Sequence, residues 1–143
     1  MFKNTRAVSI EWGDCDPAGI VFYPRYFEMF NLTVEEWFEQ RLGIPFEVLH
    51  GPMQSAIPTV QLTTKFLAPS TLGDVLEFRL APVRLGKTSL DISVEAVCGS
   101  ERRLTIKSTI VFIAIAERKS KPWPEKMALI VKNDINGLVH THA

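Results

Sequence analysis

Residues 24–42, PRYFEMFNLTVEEWFEQRL, carry apolar side chains at Tyr26, Phe27, Phe30, Val34, Trp37, Phe38 and Leu42. That spacing is one face of an α-helix, and Glu28, Glu35, Glu36 and Glu39 fall on the opposite side. Pro24 suits the first turn, where its missing N–H costs no hydrogen bond, and Gly43 followed by Pro45 stops the helix. The predicted rod is roughly 28 Å long at about 1.5 Å per residue. Its aromatic face makes it a core element.

Outward from this helix the period changes from 3.6 to 2. Upstream, Thr5 to Trp12 reads as a strand ending at the turn signal Gly13-Asp14. Downstream, after a loop through Gly51 and Pro52, strands are expected at about Thr59 to Leu67, Val75 to Val83, Thr88 to Cys98 and Leu104 to Ala116. In the third, Leu90, Ile92, Val94, Ala96 and Cys98 share one face and Ser89, Asp91, Ser93 and Glu95 the other, so one side is buried and one is wet. The connections Leu85-Gly86-Lys87 and Gly99-Ser100-Glu101 are short enough to force antiparallel neighbours. Trp123 to Lys132 reads as a short terminal helix, and Asn133 to Ala143 as a frayed tail that includes His140 and His142. The order β-α-β-β-β-β predicts an α+β fold in which one long helix is wrapped by a curved antiparallel sheet of about five strands.

The chain has 143 residues, the size of one domain, so residues 1–143 are read as a single unit. Its 46% hydrophobic and 22% charged content supplies a core without the charge imbalance of a disordered chain. Sixteen Lys plus Arg balance sixteen Asp plus Glu, which gives no electrostatic reason to expect nucleic acid or an anionic membrane as partner. Cys15 and Cys98 form neither a disulfide framework nor a C-x-x-C pair, a usage that fits a reducing cytoplasm. The N-terminal residues lack the basic-then-apolar pattern of a signal peptide, and the longest apolar run, Ile110 to Ala116, is too short to span a bilayer. The expectation is a cytoplasmic protein with no export signal and no membrane span.

Between the first strand and the helix lies Gly13-Asp14-Cys15-Asp16-Pro17-Ala18-Gly19-Ile20-Val21-Phe22-Tyr23-Pro24. Two carboxylates sit in a loop stiffened by Pro17 and bent at its glycines, just upstream of a helix N-terminus with free N–H groups and partial positive charge. A carboxylate facing a carbonyl polarised by that helix end is the geometry of acyl transfer. The plainer reading is that Asp14 and Asp16 make turns and cap backbone N–H groups. The calcium-loop pattern fails at Ala18, and the nearest histidine, His50, is remote, so no metal is expected. Cys15 is read as structural, because the loop offers no partner histidine.

This loop resembles the signature of the 4-hydroxybenzoyl-CoA thioesterase family of hot-dog-fold proteins. Phe66-Leu67-Ala68-Pro69-Ser70-Thr71-Leu72-Gly73-Asp74-Val75-Leu76 is similar to the F-x-x-P-x-x-x-G-D-x-L segment of hot-dog thioesterases, and Leu85-Gly86-Lys87-Thr88-Ser89-Leu90 to the hairpin that follows it. The likeness runs in order from about Val8 to Ile115. It implies a long helix inside a curved antiparallel sheet, and it places the catalytic carboxylate on Asp16 and the carbonyl-polarising N–H on Tyr23. Pro24 has no N–H, so the first donor at the helix mouth lies just before it. Asp16 would either attack the thioester to form an anhydride or serve as general base for a water.

Pro24 stands where many general acyl-CoA thioesterases with this loop carry a histidine, which favours an aromatic acyl group. Asn31 stands where the hydroxybenzoyl enzymes have an acidic residue near the substrate ring. It is taken with Thr59 as substrate-binding, against the plainer reading of a solvated helix residue. Arg84, Lys87 and Thr88, in the hairpin that resembles the nucleotide-binding segment, are assigned to the phosphates of coenzyme A, with Lys65 a weaker candidate. Arg102-Arg103 is read as decoration of the next turn. No cofactor is implied, because coenzyme A is part of the substrate. A sheet curled around one helix leaves an apolar flank and edge strands uncovered, so a homodimer or homotetramer is expected, with active sites at the subunit interfaces as the resemblance implies. The function expected is hydrolysis of an aromatic or short acyl-CoA ester. The alternatives are a non-catalytic acyl-CoA or small-ligand binding module and, last, an enoyl-CoA hydratase, whose chemistry usually pairs a histidine with the aspartate.

Overall fold

The computed structural model describes residues 2–140. Strand β1 (Asn4–Ser9) leads through a 3-10 turn at Trp12–Asp14 into α1 (Pro24–Gln40). A short helix α2 (Phe46–His50) and a two-residue β2 (Ser55–Ala56) precede β3 (Thr59–Phe66), β4 (Val75–Leu85), β5 (Ser89–Cys98) and β6 (Glu101–Val111). The chain continues through the short β7 (Ile113–Ala114) and β8 (Lys119–Ser120) to α3 (Glu125–His140). Five strands pair antiparallel in the order β1-β4-β5-β6-β3, and β2, β7 and β8 make a small second sheet. The arrangement is the α+β, hot-dog fold that periodicity and resemblance predict.

Helix α1 buries Tyr26, Met29, Phe30, Thr33, Val34, Trp37 and Phe38. Thr33 can join that face because its hydroxyl donates to the Met29 carbonyl at 2.9 Å. Trp37 and Phe38 are wholly buried, and truncating either to alanine would cost about 3–5 kcal/mol. The helix packs on Leu76, Phe78 and Leu80 of β4, Leu90, Ile92 and Val94 of β5, and Leu104, Ile106 and Ile110 of β6, which belong to one contiguous core. Cys98 departs from the expected β5 face: a register shift between Ala96 and Val97 changes the alternation, so Val97 is buried and Cys98 only half-buried.

The C-terminus corrects the sequence reading. Residues 133–140 are helical, not frayed, and α3 packs against β4, so two helices cover the inner face. Met127 and Val131 enter the core, and Asp134, buried, accepts from Arg41 Nε at 3.0 Å and from Nη2. The expectation for the terminal histidine tail, Thr141 to Ala143, lies outside the described residues.

Register fixes the two ends of the main sheet. Ser9 pairs with Val75 and Phe66 with Leu104, so the loop after β1, the start of β4 and the end of β3 share one end. Leu85 pairs with Leu90, Ser89 with Val111 and Thr59 with Ile110, which marks the other. Helix α1 crosses from the first end toward the second: the Tyr26 ring is 6.1 Å from Phe66, and Asn31 and Val34 lie with Thr59 and Ile110. The edge strand β3 is exposed along nearly its whole length, including the apolar side chains Val60, Leu62 and Phe66.

Candidate active site

The loop between β1 and α1 is built by backbone bonds that close on themselves. Asp16 N–H donates to the Ile20 carbonyl at 2.9 Å, Phe22 N–H to the Asp14 carbonyl at 2.8 Å, and Gly19 N–H to the Asp16 carbonyl at 2.9 Å. Pro17 occupies the second position of this last turn, and Gly19 takes φ +83°, a conformation that a side chain would strain. The two aspartates separate by their partners. Asp14 Oδ2 accepts Glu11 N–H at 2.9 Å and completes the cap of the 3-10 turn, so Asp14 is structural. Asp16 Oδ1 accepts Ala18 N–H at 2.9 Å, and among the described residues its Oδ2 has no hydrogen-bond partner. This side chain lines an open cleft of about 320 Å³ with Gly13, Cys15, Pro17, Phe22 and Arg25. The Cys15 thiol points back to the Glu11 carbonyl at 3.7 Å.

At the helix mouth the donors sort equally clearly. Pro24 occupies the first helical position and offers no N–H; Arg25 N–H is used by the Phe22 carbonyl at 2.9 Å and Tyr26 N–H by the Tyr23 carbonyl at 3.1 Å. Tyr23 N–H has no partner among the described residues, and Tyr23 already has helical dihedrals, φ −53° and ψ −34°, so its N–H belongs to the positive end of the helix. Its side chain, 57% exposed, stands edge-on to Phe22 at 5.8 Å and to Phe66 at 6.1 Å. Ile20, Val21, Tyr23, Tyr26, Phe66, Leu67, Ala68 and Pro69 form an apolar groove of about 300 Å³ beside the mouth.

Asn31 and Thr59, named from sequence, line one further cleft of about 410 Å³, walled by Phe30, Val34, Phe46, Ile57, Pro58 and Ile110. Asn31 lies eight residues beyond Tyr23, about 12 Å along the helix. His50, remote in sequence, lines the same cleft with its ring 5.4 Å from Phe46. Arg84, Lys87 and Thr88 sit at the far end of the sheet: β4 separates them from the Asp16 end by roughly 30 Å. One chain therefore carries Asp16 and Tyr23 on the same loop before α1, lining two separate hollows, places Asn31 and Thr59 in a third, and holds the hairpin cations apart from Asp16. Lys65 faces outward on β3, beside a separate polar hollow with Arg102 and Lys107. No cluster of three or more His, Cys, Asp or Glu gathers among the described residues, and no helix there is long and apolar enough to cross a membrane.

Two residues escape the sequence reading. Arg25, at the cleft rim and paired to Glu28 at 3.0 Å, carries no motif signal beyond its position after Tyr23-Pro24. Arg103 is not turn decoration: its side chain is 12% exposed and its Nη1 lies 2.8 Å from Asp74 Oδ2. Strand alternation turns Arg103 toward the 69–74 loop while Arg102 stays in solvent.

The profile of the thioesterase-like superfamily matches residues 10–131. The chain belongs to that superfamily. Within it, the chain is 29% identical over 112 residues to a 1,4-dihydroxy-2-naphthoyl-CoA hydrolase of Prochlorococcus marinus (strain MIT 9303), covering 74% of this chain and 73% of that one. Its fold superposes on the crystal structure of a 1,4-dihydroxy-2-naphthoyl-CoA thioesterase from Synechocystis with TM-score 0.83 and 21% identity, over 91% and 96% of the two chains. A gentisyl-coenzyme A thioesterase gives TM-score 0.79 and 22% identity, over 87% of this chain and 98% of that one.

Proposed function

We propose that this superfamily member is an acyl-CoA thioesterase that hydrolyses an aromatic acyl thioester of the hydroxybenzoyl type to the free acid and coenzyme A. The observation that carries the reading is that one loop presents both an Asp16 carboxylate oxygen and, at the adjoining helix mouth, a Tyr23 N–H, neither of which has a hydrogen-bond partner among the described residues. The N–H and the helix end stabilise charge developing on the thioester oxygen. Asp16 either attacks the carbonyl carbon, forming a C–O bond as the C–S bond breaks and the thiolate leaves, after which water opens the anhydride, or it takes the proton of an attacking water. A single turnover in oxygen-18 water that places label in the Asp16 carboxylate establishes the anhydride route, because the general-base route labels the product acid alone. Neither route calls for a cofactor or metal.

For the acyl group, the apolar Asn31-Thr59-His50 cleft suits an aromatic ring with a polar substituent. The names of the similar proteins, which act on dihydroxynaphthoyl-CoA and gentisyl-CoA, support an aromatic hydroxy acid. For the nucleotide, a second copy paired antiparallel along β3 would carry its own Thr59 end, and with it Arg84, Lys87 and Thr88, toward the first copy's Asp16. The exposed edge and apolar flank of β3 support this dimer, or a tetramer built from it. The two free thiols fit a cytoplasmic setting.

The test follows free thiol release from benzoyl-, hydroxybenzoyl-, dihydroxynaphthoyl- and straight-chain acyl-CoA. Asp16→Asn is expected to lower kcat by about 10²–10⁴-fold with binding of a non-hydrolysable analogue retained. Wild-type turnover in that variant overturns the assignment, and binding of every ester without thiol release makes the chain a binding module instead. Among the described residues no histidine lines the cleft with Asp16, so the aspartate–histidine pair that would favour the hydratase reading is not seen there.

A further inference from the structure

The loop that carries Asp16 is held from one side by the 69–74 segment, and that segment is held by one guanidinium. Arg103 Nη1 donates to the Pro69 carbonyl at 3.1 Å, to Ser70 Oγ at 2.9 Å and to Asp74 Oδ2 at 2.8 Å. Asp74 Oδ2 also accepts Thr71 N–H at 2.9 Å, which closes the segment on itself. Ile10 N–H donates to the Asp74 carbonyl at 2.8 Å and Gly73 N–H to the Ile10 carbonyl at 3.1 Å, so the segment is tied to the end of the first strand.

Its contact with the candidate site is made at Ser70, which is fully buried. The Ser70 carbonyl accepts Val21 N–H at 2.9 Å, and Ile20 and Thr71 form an isolated bridge alongside. Val21 lies between Ile20, whose carbonyl takes Asp16 N–H, and Phe22, whose carbonyl takes Arg25 N–H and which precedes Tyr23. Ser70 therefore anchors the stretch of chain that joins Asp16 to the Tyr23 N–H. Misplacing reacting groups by about 1 Å can cost about 10²-fold in rate.

We propose that Arg103 and Asp74 are positioning residues for thioester hydrolysis, fixing the 69–74 segment so that its Ser70 carbonyl sets the spacing between the Asp16 carboxylate and the Tyr23 N–H. The inference rests on the reading that Asp16 and Tyr23 are the reacting groups. The pair stays ionised over the working range of pH: Arg103, first through its hydrogen bond, holds the Asp74 carboxyl below its ordinary value, and Asp74 raises the guanidinium. The three contacts fall on Nη1 alone, whose two hydrogens are shared among the Pro69, Ser70 and Asp74 oxygens, while Nε faces Glu101 Oε1 at 2.6 Å; lysine keeps a single donor nitrogen but loses the second anchor.

The experiment compares full-length wild type, Arg103→Lys, Arg103→Met, Asp74→Asn and Asp16→Asn on one hydroxybenzoyl-CoA substrate, with rates expressed per folded protein from thermal melts. Arg103→Met is expected to lower kcat about 10–100-fold while KM changes less than about twofold, and Arg103→Lys, which keeps a single cationic donor, and Asp74→Asn to lower kcat less than Arg103→Met. A purely stabilising role would lower the melting temperature and leave kcat per folded protein intact; that result overturns the proposal. So does a raised KM at unchanged kcat, which would make Arg103 a substrate-binding group. If Arg103→Met does not fold, Arg103→Lys and Asp74→Asn carry the same test. Wild-type turnover in Asp16→Asn sinks the underlying reading, whereas an inactive Asp16→Asn beside fully active Arg103 variants sinks this inference alone.

Discussion

Asp14 and Asp16 are separated by one residue and meet different backbone. Asp14 is taken up by Glu11 N–H, whereas Asp16 gives only one oxygen to Ala18 N–H. An Asp14→Asn substitution keeps an acceptor for the cap and is expected to cost under about 1 kcal/mol of stability with little loss of kcat. Asn31 is tested at the same scale for its proposed role in selectivity. If it contacts a ring hydroxyl, Asn31→Leu should reduce the preference for hydroxybenzoyl-CoA over benzoyl-CoA by roughly tenfold or more, read from the ratio of kcat/KM values. Asp74 gives a pH signature. Its folded-state carboxyl lies below the ordinary 3.8, so its contribution to stability is complete above that value and is lost as pH falls through the lowered one. Acid denaturation followed by circular dichroism from about pH 5 to pH 2 should be shallower in Asp74→Asn than in wild type. An equal slope in the two would remove Asp74 from the acid response.

At the scale of elements, what was legible in the sequence was local. The α1 stripe repeats over 17 residues and is bounded by its own proline and glycine, and the Asp16–Tyr23 loop turns back on itself through bonds between residues at most eight apart, only its tie to Ser70 and Thr71 being long-range. Helix α3 was hidden beyond Lys132 because Asn133, Asp134, Asn136 and Gly137 are poor helix formers, and what stabilises the turn they occupy is an ion pair with Arg41, 93 positions earlier. Arg103 is illegible as a tie for the same reason: besides Glu101, two positions before it, its partners lie 29 to 34 positions away. The two-residue strands β2, β7 and β8 are too short to have a period. The α3 account is testable by Asp134→Ala, which removes the acceptor of a largely buried charged hydrogen bond and should destabilise the protein by about 1.5–3 kcal/mol in urea unfolding. Amide exchange should quicken first in residues 130–140 of α3.

At the scale of the whole molecule, the outstanding feature is β3, an eight-residue edge strand exposed on both faces. Sedimentation of the wild type is expected to give a dimer or a multiple of it. Leu62→Lys, which sets a charge on the apolar flank, should shift it toward monomer and make specific activity fall on dilution. A wild type that sediments as a fully active monomer would refute the pairing. The antiparallel register, which keeps Lys87 and Asp16 at opposite ends of the sheet, carries a further consequence: a competent centre would be assembled in trans. Denaturing, mixing and renaturing equal amounts of Asp16→Asn and an Arg84→Glu/Lys87→Glu double variant, each poorly active alone, should then restore about a quarter of normal turnover through hybrids that hold one intact centre apiece. The sheet's geometry thus turns a question about residue roles into one of genetic complementation.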